Sequence, residues 1–250
     1  MLEMCINQAS GLSRMGFQNT PCVIAMASHG KQQGELPVLW GLCTALVSLG
    51  YTVAVLDATT TESTHNPGLA QLLDDACWQD DESEPLSWTV IPAALGLQQL
   101  GTQSSERHFA MDPLASLFQN FGVVLIYAGA EVLSRLLPQS GIEPLLTVSP
   151  VKMSAVTAYQ ALKQMWLSAK LRPTVANITS EQYSKSSMAS HSSVKTLQDC
   201  AMTFLDYRLD AQPVQAMKQQ DCRSDDMNRL ALRLLENAMP LHRHHFVGSH

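Results

Sequence analysis

The feature that most limits the fold is a strand, a glycine-containing turn, a helix and a second strand in direct succession between residues 22 and 56. Residues 22–27 are all apolar, without polar alternation, which is typical of a strand buried on both faces of a parallel sheet. Across residues 37–49 the apolar side chains recur at helical spacing, and Gly50 ends the helix. Residues 52–56 form the second apolar run. This β-α-β unit predicts a parallel sheet with helices packed on its faces.

The rest of the chain continues the alternation. Apolar runs predict strands at residues 88–91, 123–127, 145–148 and 173–177, and helical spacing predicts helices at residues 68–73, 113–120, 153–170, 194–207, 213–219 and 225–238. Residues 183–193 are rich in serine and are predicted to form a loop. We therefore expect an α/β fold of three layers, in which a mostly parallel central sheet carries helices on both faces.

The composition is that of one globular domain, because 250 residues with 46% hydrophobic content can bury a full core. We predict a single domain over residues 21–240, a flexible N-terminal segment at residues 1–20 and a His-rich tail at residues 241–250. The net charge is −6 and the basic residues are scattered, whereas a nucleic-acid surface clusters its Lys and Arg. The chain is therefore not expected to bind nucleic acid.

The six cysteines form no CxxC pair, and several fall within predicted buried elements. This pattern favours reduced core thiols over disulfides or metal ligands, so no metal site is predicted. The N-terminus has no apolar signal-peptide region, and the longest apolar stretch is shorter than the ~20 residues that span a bilayer. We therefore expect a cytoplasmic protein.

The turn between the first strand and helix, residues 27–37, lies where a phosphate-binding loop would lie in such a unit. These loops bind phosphate oxygens with backbone N–H groups, neutralise the β- and γ-phosphates with a lysine and hold Mg²⁺ with a Ser or Thr hydroxyl. Here Glu35 and Leu36 occupy the last two positions. The loop has the place of a nucleotide site without its chemistry.

Seven short blocks in order make the chain resemble the MinD/ParA superfamily of deviant P-loop ATPases, closest to its FlhG and BcsQ branch; they lie at residues 28–37, 56–57, 90–93, 124–126, 175–177, 208–210 and 214–220. The resemblance spans residues 20–240. It implies a P-loop NTPase-like fold and a protein partner in the assembly or positioning of a bacterial surface structure such as a flagellum, a pilus or an exopolysaccharide exporter.

The resemblance also assigns roles to positions. Gly34 keeps the last glycine of the family's loop, and Asn177 matches an asparagine that reads adenine in relatives. Gly30 stands where relatives have a signature lysine, but Lys31 is adjacent. These residues make a vestigial nucleotide site, without catalytic residues. Around it, Asp57 matches the family's first aspartate after the second strand, and four positions are altered: Glu35 for the phosphate lysine, Leu36 for the magnesium-binding hydroxyl, Thr59 for the water-orienting aspartate and Tyr127 for the Walker B aspartate.

Charge decides how much the altered loop matters. A lysine about 4 Å from a phosphate contributes about 4 kcal/mol of attraction at an effective dielectric constant near 20. A glutamate in its place reverses the sign, so the interaction free energy becomes less favourable by up to about 8 kcal/mol. Phosphoryl transfer depends on positioning and on neutralising charge. We therefore expect no cofactor; ATP with Mg²⁺ is the alternative, if a shifted loop brings Lys31 to the phosphates. In a further alternative no nucleotide binds, and the loop's own side chains occupy the site, for example Glu35 paired with Lys31.

Two other segments allow alternative interpretations. His242, His244 and His245 could coordinate a transition metal, but a disordered polar tail is the favoured interpretation. The helix at residues 225–238 is amphipathic, which suits either docking on the sheet or peripheral contact with a membrane.

Two functions remain. The first, which we favour, is a pseudo-ATPase that acts as a nucleotide-independent regulatory or scaffold partner in bacterial surface-structure assembly. The second is an atypical ATP-driven switch that dimerises and attaches to the membrane, with weak ATPase activity. The sequence allows a monomer or a homodimer.

Overall fold

The computed structural model describes residues 20–30, 34–75, 88–103, 111–151, 153–179, 187–215 and 225–241. The strands in these ranges are β1 (Cys22–Ser28), β2 (Val53–Asp57), β3 (Trp88–Pro92), β4 (Val123–Gly129), β5 (Leu145–Val148), β6 (Thr174–Thr179), β7 (Ala211–Gln215) and β8 (Met239–Pro240). The helices are α1 (Glu35–Ser48), α2 (Leu69–Asp75), α3 (Ala94–Gln103), α4 (Asp112–Leu117), α5 (Ala130–Leu136), α6 (Ser154–Ala169), α7 (Ser187–Leu205) and α8 (Asp225–Glu236).

All eight strands belong to one sheet, in the order β3-β2-β4-β1-β5-β6-β7, and β8 pairs with the start of β1. Every pairing along this path is parallel, and only β8 runs antiparallel. The carboxyl ends of the parallel strands therefore all lie on the same side of the sheet, which we call its carboxyl edge. Ligands bind at this edge in open α/β folds. The predicted three-layer fold with a mostly parallel sheet is confirmed.

Two apolar cores cover the two faces of the sheet. One face packs against α1 and α8, through side chains such as Leu42 and Leu230. The opposite face packs against α3, α4, α5, α6 and α7, through side chains such as Leu97 and Leu162. Strands β1 and β4 lie in the middle and are almost fully buried, which explains their uniformly apolar sequence.

Two predictions of local structure are wrong. The helix expected at residues 213–219 is a strand as far as it is described, because Ala211–Gln215 pairs in parallel with β6; Pro213 is tolerated there, since β7 is the last strand on its side of the sheet. The serine-rich loop expected up to residue 193 is already helical from Ser187. Residues 183–186 of that loop and 216–219 of that helix lie outside the described residues, as do the segments 1–19 and 242–250.

The amphipathic helix at the end of the chain is α8, and its apolar side packs on the sheet. Met227, Leu230, Ala231 and Leu234 are buried in the core that α8 shares with α1. Of the two interpretations of this helix, docking accounts for its apolar side. No helix in the described ranges is both long enough and apolar enough to cross a membrane.

Candidate functional site

The candidate site lies at the carboxyl edge of the sheet, where β1 leads through a loop into α1. Residues 31–33 of this loop, Lys31 among them, are outside the described residues. The loop re-enters the described chain at Gly34, which has φ +82° and precedes the first turn of α1. A left-handed residue suits glycine, and an added Cβ would meet Ile178 at 3.0 Å. Gly34 is therefore required by the loop geometry, whatever the loop binds.

Glu35 is the central side chain of the site, because it is charged, is 1% exposed and points inward. Its Oε2 accepts a hydrogen bond from the Tyr127 hydroxyl at 2.6 Å, and its Oε1 accepts one from the backbone N–H of His29 at 3.0 Å. The carboxylate also lies in the first turn of α1, where the helix dipole favours negative charge. Both oxygens of Glu35 are thus occupied by the protein itself.

His29 connects this loop to its neighbours on the other side. Its Nε2 lies 2.7 Å from the carbonyl oxygen of Thr147, so it carries the proton and donates. Its Nδ1 lies 2.9 Å from the hydroxyl of Thr157 on α6, and that hydroxyl lies 3.2 Å from the carbonyl oxygen of Met153. The imidazole therefore joins β1, β5 and α6 around the loop.

Tyr127 extends from β4 into the same cluster and is fully buried. Burial raises the pKa of its hydroxyl well above the usual value of 10, and the hydrogen bond to Glu35 raises it further, whereas a hydrogen bond with Ser28 acts in the opposite direction. The hydroxyl therefore stays protonated and donates to Glu35. A magnesium site would need a carboxylate oxygen here, and a neutral phenol is a poor substitute.

Asp57, at the end of β2, is also occupied by its neighbours. Its Oδ1 accepts from the backbone N–H of Thr59 at 2.9 Å and from the Thr59 hydroxyl at 2.6 Å. Its Oδ2 accepts from the Thr60 hydroxyl at 2.8 Å. Both oxygens of Asp57 are therefore held by a local turn with Thr59 and Thr60.

The β5–β6 side of the site differs, because polar atoms there lack partners. Asn177 on β6 and Ser149, just after β5, are buried, and within the described ranges Asn177 Oδ1 and Ser149 Oγ have no hydrogen-bond partner. Val148 pairs with Asn177 in the sheet, and the Ser149 side chain lies near Gly34. Buried polar atoms without partners indicate a water or a ligand at this position.

The remaining predicted positions lie at the rim. Leu36 is 40% exposed and contributes no polar atom to the site. Gly30 has φ +64°, and a Cβ there would meet the Thr157 hydroxyl at 3.2 Å. The expected pairing of Glu35 with Lys31 stays a prediction, since Lys31 is not described; the partners that are described are Tyr127 and His29.

Sequence reasoning missed the two side chains that tie the loop to the sheet and to α6. His29 lies inside the loop segment, and its position next to Gly30 was the only available signal. Thr157 gives no local signal, because its contact with His29 spans 128 positions along the chain. Among the described residues, no group of three or more His, Cys, Asp or Glu could hold a metal ion. The three histidines near residue 244 are outside those residues.

Comparison with known proteins supports the fold. No protein-family profile matches the sequence, and no curated protein matches it significantly. Among solved structures, the chain is similar to the MinC:MinD cell division protein complex of Aquifex aeolicus, with 16% identity over 88% of this chain and 98% of the other and a TM-score of 0.52.

Two further solved structures show the same likeness. A plasmid partition protein from Borrelia burgdorferi is 13% identical over 87% of this chain and 99% of its own, with a TM-score of 0.51. Cobyrinic acid a,c-diamide synthase from Mycobacterium smegmatis, solved with bound ADP and magnesium, is 15% identical over 86% of this chain and 94% of its own, with a TM-score of 0.53. At these identities the likeness concerns the fold, and the chain has the fold of the MinD and ParA-type ATPases.

Proposed function

We propose that this protein is a pseudo-ATPase: a MinD/ParA-fold protein that binds a protein partner without a nucleotide cycle. The observation that carries the proposal is the hydrogen bond of 2.6 Å between Tyr127 and Glu35. The sequence resemblance assigns these two residues to the positions of the Walker B aspartate and the phosphate lysine. A phosphate brought to about 4 Å from the Glu35 carboxylate would be repelled by about 4 kcal/mol at an effective dielectric constant near 20. It would also displace a buried, charge-assisted hydrogen bond.

The first test is calorimetric titration of the protein with Mg-ATP and Mg-ADP. We expect no saturable heat up to about 1 mM, which corresponds to a binding free energy weaker than about −4 kcal/mol. The matched variant is Glu35→Ala, which removes the carboxylate and restores no lysine, so it is also expected to show no tight binding. Micromolar binding of ATP to the unaltered protein would refute the proposal.

A second candidate is nucleotide binding without hydrolysis, and the unpartnered Asn177 Oδ1 favours it. An acceptor at this position suits an N–H donor such as the amino group of adenine. Titration with adenosine separates the two candidates, because adenosine lacks phosphates and avoids Glu35. Saturable binding of adenosine that is lost in Asn177→Leu, together with weaker binding of ATP, would support this second candidate.

We propose further that the partner belongs to the assembly or positioning of a bacterial surface structure, namely a flagellum, a pilus or an exopolysaccharide exporter. This part rests on the resemblance of the sequence blocks to the FlhG and BcsQ branch. Its test is genetic: deletion of the gene in its host, followed by counts of flagella and pili and measurement of exopolysaccharide. A deletion that leaves all three unchanged would refute the assignment.

A further inference from the structure

An exposed apolar ledge lies beside α1, at the β3 edge of the sheet. We define it by four residues: Leu36 and Trp40 on α1, and Trp88 and Val90 on β3. Trp40 is 58% exposed and Val90 is 49% exposed. The rings of Trp40 and Trp88 make an edge-on contact with centroids 5.5 Å apart, so the helix and the strand contribute to one surface. Large apolar side chains exposed together mark interaction surfaces.

The sheet pattern explains why the ledge is open. Trp88 and Val90 pair with Val53 and Val55, whose side chains are buried on the α1 face. Residues two apart on a strand point to the same face, so Val90 also points to the α1 side. The two helices that build the core on this face are α1 and α8, and α8 contacts β1 in the middle of the sheet and β7 at the end opposite β3. In the described parts of the chain, no helix covers β3 on this face.

The ledge carries no charge. The only charged residue of α1 is Glu35, which is buried in the candidate site, and β3 has no charged residue. Interfaces between proteins are depleted of charge at their centre and enriched in Trp, which often supplies most of the binding energy. An uncharged patch is also complementary to itself, because a second copy brings no like charge against it.

The backbone of β3 is open on its outer side as well. In the described ranges β3 pairs with β2 alone and ends the sheet. Solvent-exposed edges are usually protected by a charged side chain or a bulge, since their free N–H and C=O groups pair readily with another strand. The segment 88–91 has neither, and Pro92 limits pairing only at its carboxyl end.

We propose that the ledge is the interface of a homodimer, in which β3 pairs antiparallel with β3 of a second copy across a two-fold axis. The axis runs perpendicular to the sheet, so the two ledges lie side by side and the apolar side chains of both copies meet on one surface. This dimer shares only Leu36, at the rim, with the candidate nucleotide site and uses none of its buried residues. It goes beyond the proposed pseudo-ATPase function and does not depend on it.

Sedimentation equilibrium of the full chain, with and without Mg-ATP, tests the proposal. The test variant is Val90→Lys, and the matched control is Val156→Lys. Val156 is also a valine, its exposure of 47% is close to that of Val90, and it lies on α6, away from the ledge. It is next to Thr157, which contacts His29 of the loop. Trp40→Gln is a second test variant on a helix, in case Val90→Lys does not fold. Circular dichroism checks the folding of each variant.

We expect the unaltered protein to have twice the mass of one chain without nucleotide. In a two-fold dimer the Val90→Lys substitution is present in both copies, and each copy is expected to weaken binding by about fivefold or more. The dissociation constant should therefore rise at least about 25-fold. Val156→Lys should leave it unchanged. A monomer at about 100 µM chain, or a dimer that Val156→Lys disrupts and Val90→Lys does not, overturns the ledge dimer. A dimer that forms only with Mg-ATP overturns both the ledge dimer and the pseudo-ATPase function.

Discussion

Removal of the Tyr127 hydroxyl gives the sharpest test of the closed loop. In Tyr127→Phe the ring stays in the core, but Glu35 Oε2 loses its donor at 2.6 Å while remaining buried. A hydrogen bond to a charged group contributes about 1.5–3 kcal/mol, and a buried acceptor left without a partner costs a similar amount. We therefore expect the free energy of unfolding to fall by about 1.5–3 kcal/mol, which is large for the loss of one oxygen atom.

The assay is urea unfolding of a double-mutant cycle made of the unaltered protein, Tyr127→Phe, Glu35→Leu and the double variant. Glu35→Leu removes the carboxylate and keeps an apolar side chain of similar size. If the pair is the stabilising contact, Tyr127→Phe should cost little once Glu35 is absent, and the coupling free energy should be about 1.5–3 kcal/mol. Tyr51→Phe, at a partly exposed tyrosine in the described chain, controls for the change of residue type.

The reasoning would be refuted by a coupling free energy below about 0.5 kcal/mol, which is within the additivity of independent sites. In that case Tyr127 would stabilise the fold through burial of its ring alone, and its hydrogen bond to Glu35 would not close the site. A Tyr127→Phe variant with a higher free energy of unfolding than the unaltered protein would also refute the reasoning.

Three further predictions concern the rest of the fold. Burial raises the pKa of Cys43 from 9.0 to about 12. Above pH 9 the unfolded chain therefore loses this proton before the folded chain does, and the free energy of unfolding should fall by up to about 1.4 kcal/mol per pH unit. Urea unfolding measured at several pH values in this range should show a smaller fall for Cys43→Ala. The Glu62 carboxylate accepts backbone N–H groups of Leu95 and Gly96 at the start of α3, at 2.7 and 2.9 Å, so Glu62→Ala should cost about 1.5–3 kcal/mol in urea unfolding and Glu62→Gln less. Gly68→Ala would place a Cβ 2.1 Å from a backbone carbonyl oxygen and should lower the free energy of unfolding by about 3 kcal/mol, whereas Gly129→Ala, with no atom within 4 Å, should stay within about 0.5 kcal/mol.

The sheet and most helices could be predicted because their signals are local. A buried parallel strand is a short apolar run, and a helix repeats its apolar residues every three or four positions, so both are visible within a few residues. The predicted strands at residues 123–127 and 145–148 lie within β4 and β5. Helices α3 and α5 were not predicted; α5 follows β4 directly, and Gly129 is both the last residue of β4 and the N-cap residue of α5.

The segment at residues 213–219 shows why a tertiary contact can override a local pattern. The block was expected to be helical, but Ala211–Gln215 lies against β6 and completes the sheet. Pro213 fits the first turn of a helix as well as an outer strand, so it does not decide between them. The partner strand decides, and no local signal identifies it.

The candidate site could be located from the sequence, but its contacts could not. The loop and its altered positions follow from order and spacing, whereas the bond between Glu35 and Tyr127 joins residues 92 positions apart. The same holds for His29, whose partners lie on β5 and α6. Single-sequence reasoning identifies which residues are unusual and does not show that two unusual residues satisfy each other.

Glu35 and Tyr127 form one complementary pair. A carboxylate at both positions would place two like charges in a buried site, and one of them would have to take up a proton. A tyrosine avoids this conflict, because its neutral hydroxyl donates to the carboxylate. Asp57 is satisfied in the same way by Thr59 and Thr60. The carboxylates of Glu35 and Asp57 are therefore satisfied by contacts within the protein.

The side formed by β5 and β6 shows the opposite condition, since Ser149 Oγ and Asn177 Oδ1 are buried and have no partner in the part of the chain that the structure describes. On the side formed by Glu35, Tyr127 and Asp57, every carboxylate oxygen has a donor. Among the described residues of the site, the unpaired polar atoms are confined to the β5–β6 side. This asymmetry predicts that any small molecule bound at this edge of the sheet is uncharged and offers an N–H donor, and adenosine without phosphates is the simplest probe of that chemistry.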